Sequence, residues 1–429
     1  MLAINGGNPL RKKLFPAYVT VGEEEKKAVC DVIDSGCLSQ YLGAWHKQFD
    51  GGTQVRLFEQ EWAKYFDVKH AIVVNSNTSG LFCAMGASGI EPGEEVIVSP
   101  YSMCASATAP LVYNAIPVFA DIEPEYYCLD PIDIEKKITK KTRAIIVVDL
   151  FGQPYNADAI NAIARKYNLI VIEDCAQAPG ASLNGKNAGI LGDIGVFSLN
   201  YHKHIHSGEG GVIVTNDDIL AKKCRLIRNH AEAVVEGMEF TDLTNMIGFN
   251  YRMTEIEAAI GRIQLKKLSQ LNKKRFENVK YFEERFSNFD FISMPKVRQG
   301  ASHAYYSHAC KFHEDIAKVD RNTFINAVRA ELPSFELREQ EGVKLGSGYV
   351  RPLYLQPIFQ QKIAYGSKGY PFSLSEVSYD KGICPVTEKM HYSELFTHEF
   401  IVPSMELSDI DDVALAFEKV WKYRKNLNK

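Results

Sequence analysis

Short apolar runs rich in valine and isoleucine recur through the first half of the 429-residue chain. Continuous apolar runs of this length are typical of strands that are buried on both faces, as in parallel or mixed sheets covered by helices. The pattern therefore predicts a large sheet of seven strands. The runs are residues 71–74, 95–98, 117–120, 144–148, 169–173, 194–199 and 211–215.

Segments with helical periodicity lie between most of these runs, which predicts an α/β fold with a mostly parallel sheet. After Arg252 a helical face covers residues 254–268, and a second, charged helical stretch covers residues 271–286. We predict a large domain with an N-terminal arm over residues 1–252, and connecting helices with a smaller C-terminal α+β domain over residues 253–429. Features predicted in this second part are a strand within residues 303–310, a long loop at 341–370 and a closing helix at 409–423.

The composition is that of an ordinary globular protein, with 46% hydrophobic and 24% charged residues. A formal net charge of −4 gives no global field that would attract nucleic acid. The 9 cysteines contain no CxxC pair, which favours reduced thiols in a cytoplasmic protein. No apolar stretch approaches the roughly 18 residues of a membrane span, so we predict neither a membrane segment nor secretion.

Two candidate catalytic residues lie at the ends of neighbouring predicted strands. Asp174 closes one apolar run, and Lys203 follows the next run and precedes a glycine-rich turn at residues 208–211. Open α/β sheets bind ligands at the carboxyl ends of their strands. A Schiff-base lysine and a carboxylate that keeps a pyridine nitrogen protonated are the pair that pyridoxal phosphate (PLP) chemistry requires. Each residue alone also has an ordinary structural explanation. Asp174 could simply end a strand, and Lys203 could be an exposed lysine in a hairpin.

Other polar patterns are weaker. Residues 75–79 follow a strand and open a helix, so they suit either a phosphate site or an ordinary helix N-cap. His202, His204 and His206 alternate and would share one face of an extended chain, as metal ligands can. No carboxylate or cysteine completes a clear ligand set, and we predict no metal site.

Taken together, these segments resemble the DegT/StrS group of sugar aminotransferases, which are fold-type I PLP enzymes. The likeness covers nearly the whole chain, and its matching segments occur in the family's order. They are residues 2–7, 34–39, 58–59, 75–79, 117–122, 150–154, 172–178, 192–198, 208–211 and 248–252.

The resemblance assigns roles to individual residues. It implies that Lys203 forms the internal aldimine with PLP, that Asp174 faces the pyridine nitrogen and that Gln177 lies near the phenolic oxygen of the cofactor. It also implies a homodimer with shared active sites, in which one residue reaches the phosphate from the other subunit. The implied phosphate-binding residues are Ser76, Asn77, Thr78 and Ser198, with Asn250 from the other subunit.

The chain departs from the family pattern at three positions. Asn77 stands where a small residue is usual, Met103 stands where many relatives stack an aromatic ring on the pyridine, and Asp149 replaces a frequent histidine. A polarizable methionine thioether can cover a ring less rigidly than an aromatic side chain. These changes predict a phosphate loop and a substrate pocket that differ in detail from those of relatives.

The resemblance implies transfer of an amino group from glutamate or glutamine to a keto group on a sugar, a nucleotide-linked sugar or a cyclitol. Length and the segment at residues 51–55 are closer to the cyclitol-type members. Arg351 suits a phosphate or nucleotide, and equally an ordinary surface position. The candidate substrate residues are Ser39, Tyr41, His202, Tyr349 and Arg351.

Two rival functions remain open at this point. The first is a PLP-dependent sugar dehydratase of the same fold, in which a histidine replaces the lysine and for which His202 is the neighbouring candidate. Lys203 keeps the position five residues before Gly208, which favours transamination. The second rival is a non-catalytic regulatory protein, against which the presence of both Lys203 and Asp174 argues.

Overall fold

The computed structural model describes residues 1–427. Its strands form sheets of 7, 4 and 3 strands. The strands are β1 (His70–Val74), β2 (Glu95–Val98), β3 (Ile116–Phe119), β4 (Thr142–Val148), β5 (Ile170–Asp174), β6 (Ser182–Leu183), β7 (Lys186–Asn187), β8 (Ile194–Ser198), β9 (Gly211–Thr215), β10 (Ile292–Ser293), β11 (Ala301–Ser302), β12 (His308–Phe312), β13 (Leu345–Ser347) and β14 (Leu395–His398).

Helices cover the sheets and join them. They are α1 (Glu23–Asp34), α2 (Thr53–Phe66), α3 (Asn77–Ala87), α4 (Ala105–Val112), α5 (Pro131–Lys137), α6 (Ala157–Tyr167), α7 (Asp218–Arg228), α8 (Glu255–Phe286), α9 (Glu314–Ala317), α10 (Arg321–Glu331), α11 (Pro357–Gln360), α12 (Pro385–Lys389) and α13 (Leu407–Tyr423). No helix within residues 1–427 combines the length and the apolar composition that crossing a bilayer requires.

The large sheet has the strand order β1-β9-β8-β5-β4-β2-β3. Strand β9 runs antiparallel to both β1 and β8, whereas the remaining pairs are parallel. The predicted seven-stranded, mostly parallel sheet is therefore confirmed. Because β9 alone is reversed, β1, β8, β5 and β4 all end at one edge of the sheet, which we call the carboxyl edge.

The apolar runs are continuous because both faces of the sheet are buried. In β1, Ile72 and Val74 pack into a core with residues of α3, α4 and α7, whereas Ala71 and Val73 pack into a second core with residues of α2 and α8. Successive side chains of a strand point to opposite faces, so a strand between two cores needs apolar residues at every position.

One continuous helix stands where the sequence predicted two. Helix α8 has 32 residues and begins at a capping box, in which Glu257 N–H donates to Thr254 Oγ1 at 3.2 Å and Thr254 N–H donates to Glu257 Oε2 at 2.8 Å. Its first half contributes Leu265 and Leu268 to the core beside the large sheet, and its second half contributes Phe282 and Phe286 to a separate core. The buried face changes partners midway, which interrupts the periodicity although no breaker interrupts the helix.

The predicted strand at residues 303–310 is only partly formed, because β12 begins at His308. Residues 304–306 instead follow the loop after β4: Ala304 N–H donates to the Gly152 carbonyl at 2.9 Å, and Tyr306 N–H donates to the Phe151 carbonyl at 2.8 Å. Tyr305 between them has a φ of 52°, which breaks an extended strand. This detour brings Tyr306 to the carboxyl edge.

The separate core that contains Phe282 and Phe286 lies on the four-stranded sheet, whose order is β10-β12-β14-β13, and includes residues of α8, α10 and α13. Phe15 from the N-terminal segment packs into this core, whereas Leu353 and Tyr354 from the predicted loop pack into the core of the large sheet. Each of the two predicted parts of the chain thus contributes side chains to the core of the other part. The division into domains at residues 252 and 253 stays a prediction.

A buried carboxylate ties α2, β1 and α7 together. Glu59 of α2 accepts hydrogen bonds from Arg228 Nη1 at 2.7 Å, from Arg225 Nη1 at 2.8 Å and from Val73 N–H at 3.1 Å. Burial alone would raise the pKa of Glu59, but Arg225 and Arg228 hold it below its usual value. The network therefore anchors β1 immediately before the loop that begins at Asn75.

We expect Glu59→Gln to lower the free energy of unfolding by about 3–5 kcal/mol, because it removes the buried carboxylate between Arg225 and Arg228 and leaves them only the longer contacts with Asp50 Oδ1 at 3.5 and 3.2 Å. The matched control is Glu61→Gln on the same helix, whose ion pair with Arg262 is partly exposed and should contribute about 1 kcal/mol or less. Urea unfolding of both variants measures the difference. Equal losses in the two variants would contradict the assignment.

Candidate active site

A cavity of about 200 Å³ lies at the carboxyl edge of the large sheet. Residues at or just beyond the ends of β1, β4, β5 and β8 line it, which explains why Asp174 and Lys203 meet there. We call it the main cavity. The predicted cofactor residues in its lining are Ser76, Asn77, Thr78, Met103, Asp174, Gln177, Ser198 and Lys203.

The Asp174 carboxylate is buried and accepts several hydrogen bonds. Ser106 Oγ donates to Oδ2 at 2.6 Å, and Ala176 N–H donates to Oδ1 at 3.3 Å. Burial raises the pKa of Asp174, and these donors and nearby Lys203 offset the effect only in part. A protonated pyridine nitrogen would supply the missing positive charge, so this carboxylate fits the ring of PLP.

Lys203 lies in a tight turn and is only 8% exposed. Its backbone N–H donates to the Asn200 carbonyl at 2.9 Å, and Nζ lies 4.3 Å from the centre of the Tyr306 ring. Burial lowers the pKa of Lys203 to about 8, against the opposing effects of Asp174 and Glu399. Roughly a tenth of the side chain is therefore a free amine at pH 7, far more than for an ordinary lysine, and the free amine is the form that acts as a nucleophile or proton acceptor.

The N-terminus of α3 forms another wall of the main cavity. Ser76 caps the helix by accepting a hydrogen bond from Ser79 N–H at 3.0 Å. The N–H groups of Asn77 and Thr78 in the first turn have no intrahelical acceptor, which makes this end suited to a phosphate. A Cβ on Gly211 would lie 2.6 Å from the Ser76 carbonyl oxygen, so glycine there allows the loop to approach β9.

The Asn77 side chain points to the sheet. Its Nδ2 donates to the Val196 carbonyl at 3.1 Å and, more weakly, to Asp174 Oδ1 at 3.4 Å. The departure from the family pattern at this position thus connects the α3 N-terminus to Asp174, and the phosphate contact that suits this residue is its backbone N–H.

Gln177 and Tyr349 connect the loop at residues 341–370 to the main cavity. Gln177 Oε1 accepts from Phe151 N–H at 2.7 Å, and its Nε2 donates to Tyr349 Oη at 3.0 Å. Tyr349 N–H in turn donates to Tyr101 Oη at 2.8 Å. The loop is therefore ordered by the cavity wall that it completes.

Glu173 and Asp174 have different roles because neighbouring strand residues face opposite sides. Glu173 points away from the main cavity and accepts hydrogen bonds from Gly189 N–H at 2.6 Å and Leu191 N–H at 3.0 Å. Burial and the adjacent Glu173 raise the pKa of Asp149 well above its usual value. This pair supports the floor of the site and does not line the cavity.

Some predicted residues lie outside the main cavity. Ser39 and Arg351 are exposed, and Tyr41 is buried beside Arg228, whose Cζ lies 5.0 Å from the Tyr41 ring. Asn250 is also exposed, and its Oδ1 accepts from Arg252 Nε at 2.8 Å. His202 and Tyr349 do line the main cavity. The substrate-binding roles of Ser39, Tyr41, His202, Tyr349 and Arg351, and the phosphate contact of Asn250, stay predictions.

Met103 lies at the rim and is 53% exposed. It would therefore cover a bound pyridine ring from the side of the cavity that faces solvent. Burial and nearby Lys203 lower the pKa of His202 to about 4, so this histidine is neutral near pH 7 and can exchange hydrogen bonds with a substrate.

Sequence reasoning missed two residues of the site. Ser106 lies in an alanine-rich helix without any motif, and its contact with Asp174 arises only when α4 packs on the sheet. Tyr306 was assigned to a strand, although its ring lies against Lys203 Nζ. Neither position carries a local sequence signal.

Comparison with known proteins agrees with this geometry. A model of the DegT/DnrJ/EryC1/StrS aminotransferase family matches residues 21–414. The L-glutamine:2-deoxy-scyllo-inosose aminotransferase of Streptomyces paromomycinus is 31% identical over 438 residues, which cover 98% of each chain. The GDP-perosamine synthase of Caulobacter vibrioides is 40% identical over 261 residues, which cover 61% of this chain and 69% of that protein.

Among solved structures, S. venezuelae DesV in complex with a ketimine intermediate is 27% identical, with a TM-score of 0.76. The match covers 93% of this chain and 94% of DesV. The chain belongs to the DegT/DnrJ/EryC1/StrS aminotransferase family. It is an aminotransferase of fold type I, and its cofactor is PLP.

We expect Lys203→Met to stabilise the PLP-free enzyme at pH 7 by about 3 kcal/mol, because the wild-type lysine is buried with a pKa of about 8 in place of 10.5. Between these two values the unfolded chain holds a proton that the folded chain has lost, so the stability of the wild type rises with pH. The advantage of the variant should therefore shrink from pH 8 to 10.5.

Urea unfolding across this pH range measures the effect. Lys140→Met replaces an exposed lysine and is the matched control, for which we expect no such pH dependence. A stability gap between wild type and Lys203→Met that stays constant with pH would disprove the shifted pKa.

Proposed function

We propose that this enzyme transfers an amino group from glutamate or glutamine to a keto group on a sugar, a nucleotide-linked sugar or a cyclitol. The observation that carries the proposal is the meeting of Lys203 and Asp174 in one buried cavity beside the N-terminus of α3. Two relatives are named a 2-deoxy-scyllo-inosose aminotransferase and a GDP-perosamine synthase, and these names support the acceptor class.

The residues of the chain divide the chemistry among them. PLP, when bound, supplies a ring that withdraws the electrons left on a substrate carbon after its proton is removed. Asp174 stabilises positive charge on the ring nitrogen, and the Lys203 amine, with a pKa of about 8, accepts that proton and returns it. We assign the phosphate to the N–H groups of Asn77 and Thr78 and to the hydroxyl of Ser198.

A cyclitol is the first acceptor to test. The scyllo-inosose aminotransferases align with this chain from end to end, whereas the GDP-perosamine synthases align over about two thirds of it. His202 and Tyr349 in the main cavity provide the hydrogen-bonding and aromatic groups that suit a polyhydroxylated ring. We keep Ser39, Tyr41 and Arg351 as candidates only for contacts beyond this cavity.

The dehydratase rival requires a histidine in the position of the lysine. Here Lys203 lines the main cavity, with its Nζ over the Tyr306 ring. His202 is neutral near pH 7 because its pKa is about 4. A group with so low a pKa is a poor proton acceptor near neutrality. These observations favour amino transfer.

We also propose a homodimer with shared sites in the cytoplasm. Asn250 is exposed, and its carbonyl accepts a long hydrogen bond from Asn75 Nδ2 at 3.5 Å, beside the loop that precedes α3. This surface position is where a neighbouring subunit would meet the rim of the main cavity. The 9 free cysteines, 6 of which are buried, support a reducing compartment.

We expect the wild type to convert a keto-cyclitol to an amine with glutamine or glutamate, and both Lys203→Ala and Asp174→Asn to lose transfer by at least about 100-fold because each removes a group that acts on the reacting atoms. Mass analysis of products measures this. A deoxygenated product without a new amine would establish the dehydratase. Undiminished transfer in both variants would disprove the assigned roles.

Mixing tests the shared site. We expect Lys203→Ala and Asn250→Ala to be strongly impaired as separate homodimers, and a renatured mixture to recover about a quarter of wild-type activity, because half of the dimers then hold one intact site. Lys140→Ala renatured with Lys203→Ala should give about half of wild-type activity and corrects for losses on renaturation. No recovery in the Asn250 mixture would place Asn250 in the site of its own subunit.

A further inference from the structure

A second cavity of about 240 Å³ lies beside the main cavity, and His202 and Tyr306 line both. We call it the side cavity. The N-terminal segment at residues 17–21, the turn that contains Lys203, and α8 contribute to its walls. The side cavity is therefore next to the reacting lysine, which lies 4.3 Å from the Tyr306 ring.

Arg275 of α8 lines the side cavity and is only 4% exposed. Its Nη1 donates to the Tyr305 carbonyl at 3.2 Å, its Nε has no hydrogen-bond partner, and its Cζ lies 5.5 Å from the Tyr18 ring. Within residues 1–427 no carboxylate forms an ion pair with Arg275. Burying a guanidinium without a counter-ion lowers the stability of the folded protein. Arg275 is such an unpaired positive charge, and it lies beside the reaction centre.

The other charged residues of the side cavity do not supply this counter-ion. Arg338 and Glu399 pair with each other at 2.6 Å, and Arg338 also pairs with Glu341 at 2.7 Å. Glu336 is exposed to solvent. Arg275 is thus the uncompensated charge of this cavity among the described residues.

We propose that Arg275 binds a carboxylate of the amino-donor amino acid and thereby places the donor's amino group in the main cavity beside Lys203. A guanidinium presents parallel N–H groups that match the two oxygens of a carboxylate. A keto-cyclitol carries no anion, so a charge of this kind distinguishes the donor from the acceptor. This inference rests on the proposed function and names the subsite of its first substrate.

Glutarate tests the subsite without chemistry, because it has the two carboxylates of glutamate and no amino group. We expect calorimetric titration of the holoenzyme to show binding that Arg275→Met weakens by about 10- to 100-fold and Arg275→Lys weakens less. Arg285→Met is the matched control, since Arg285 lies on the same helix and pairs with Asp411 away from both cavities. Its glutarate affinity should equal that of the wild type.

Kinetics separate binding from folding. In the reaction with glutamate, we expect Arg275→Met to raise KM by about 10-fold or more with a smaller change in kcat and unchanged KM for the keto acceptor. Its thermal midpoint without ligand should not fall below that of Arg285→Met, because the substitution removes an unpaired buried charge. A large loss of stability that Arg275→Lys rescues, with glutarate affinity unchanged, would assign Arg275 a structural role and overturn the proposal.

Two further outcomes are decisive. If Arg275→Met weakens the binding of a nucleoside diphosphate and leaves glutarate binding unchanged, the site takes a phosphate and the proposal is wrong. If the wild type transfers amino groups but its glutarate affinity does not depend on Arg275, the subsite fails and the proposed function stands. Arg275-dependent glutarate binding in a protein that transfers no amino group would retain the anion site and remove the function.

Discussion

The pairing of β5 with β8 is the constraint on which the site depends. The two strands run parallel with Asp174 opposite Val196, so the chain leaves both at the same edge of the sheet. Ser198 ends β8 there, and the turn that follows brings Lys203 back over the strand ends. Leu199 N–H donates to the Gly210 carbonyl at 2.8 Å, and Ser207 N–H donates to the Leu199 carbonyl at 3.0 Å. A shift in the register of β5 against β8 would move Asp174 along the sheet edge, away from Lys203.

Burial then sets the electrostatics of the residues that this edge collects. It raises the pKa of Asp174 and lowers that of Lys203, so each group is less charged than it would be in water. Arg275 is a third case, a buried guanidinium that has no ion-pair partner among residues 1–427. Burial of these groups lowers the stability of the free protein, and bound ligands offset that loss. This is a common compromise at functional sites.

Local pattern predicted the sheet well because each strand between two cores must be apolar throughout, and the run at residues 169–173 matches β5 within one residue at each end. It failed where packing partners change along one element. Helix α8 leaves one core for another in its middle, and the chain at residues 303–307 follows the loop after β4 in place of extending β12. Ser106, Tyr306 and Arg275 reach the two cavities or Asp174 only through tertiary packing, and they carry no sequence signal of their own.

By itself the sequence determined the sheet, the family resemblance and the candidate pair Lys203 and Asp174, because strand periodicity and motif order are properties of neighbouring residues. Only the tertiary structure decided which of two adjacent acids, Glu173 or Asp174, faces the main cavity and which other side chains meet it. It also revealed the side cavity. Burial and through-space contact join residues that are distant in the chain, and no local pattern records the packing that brings them together.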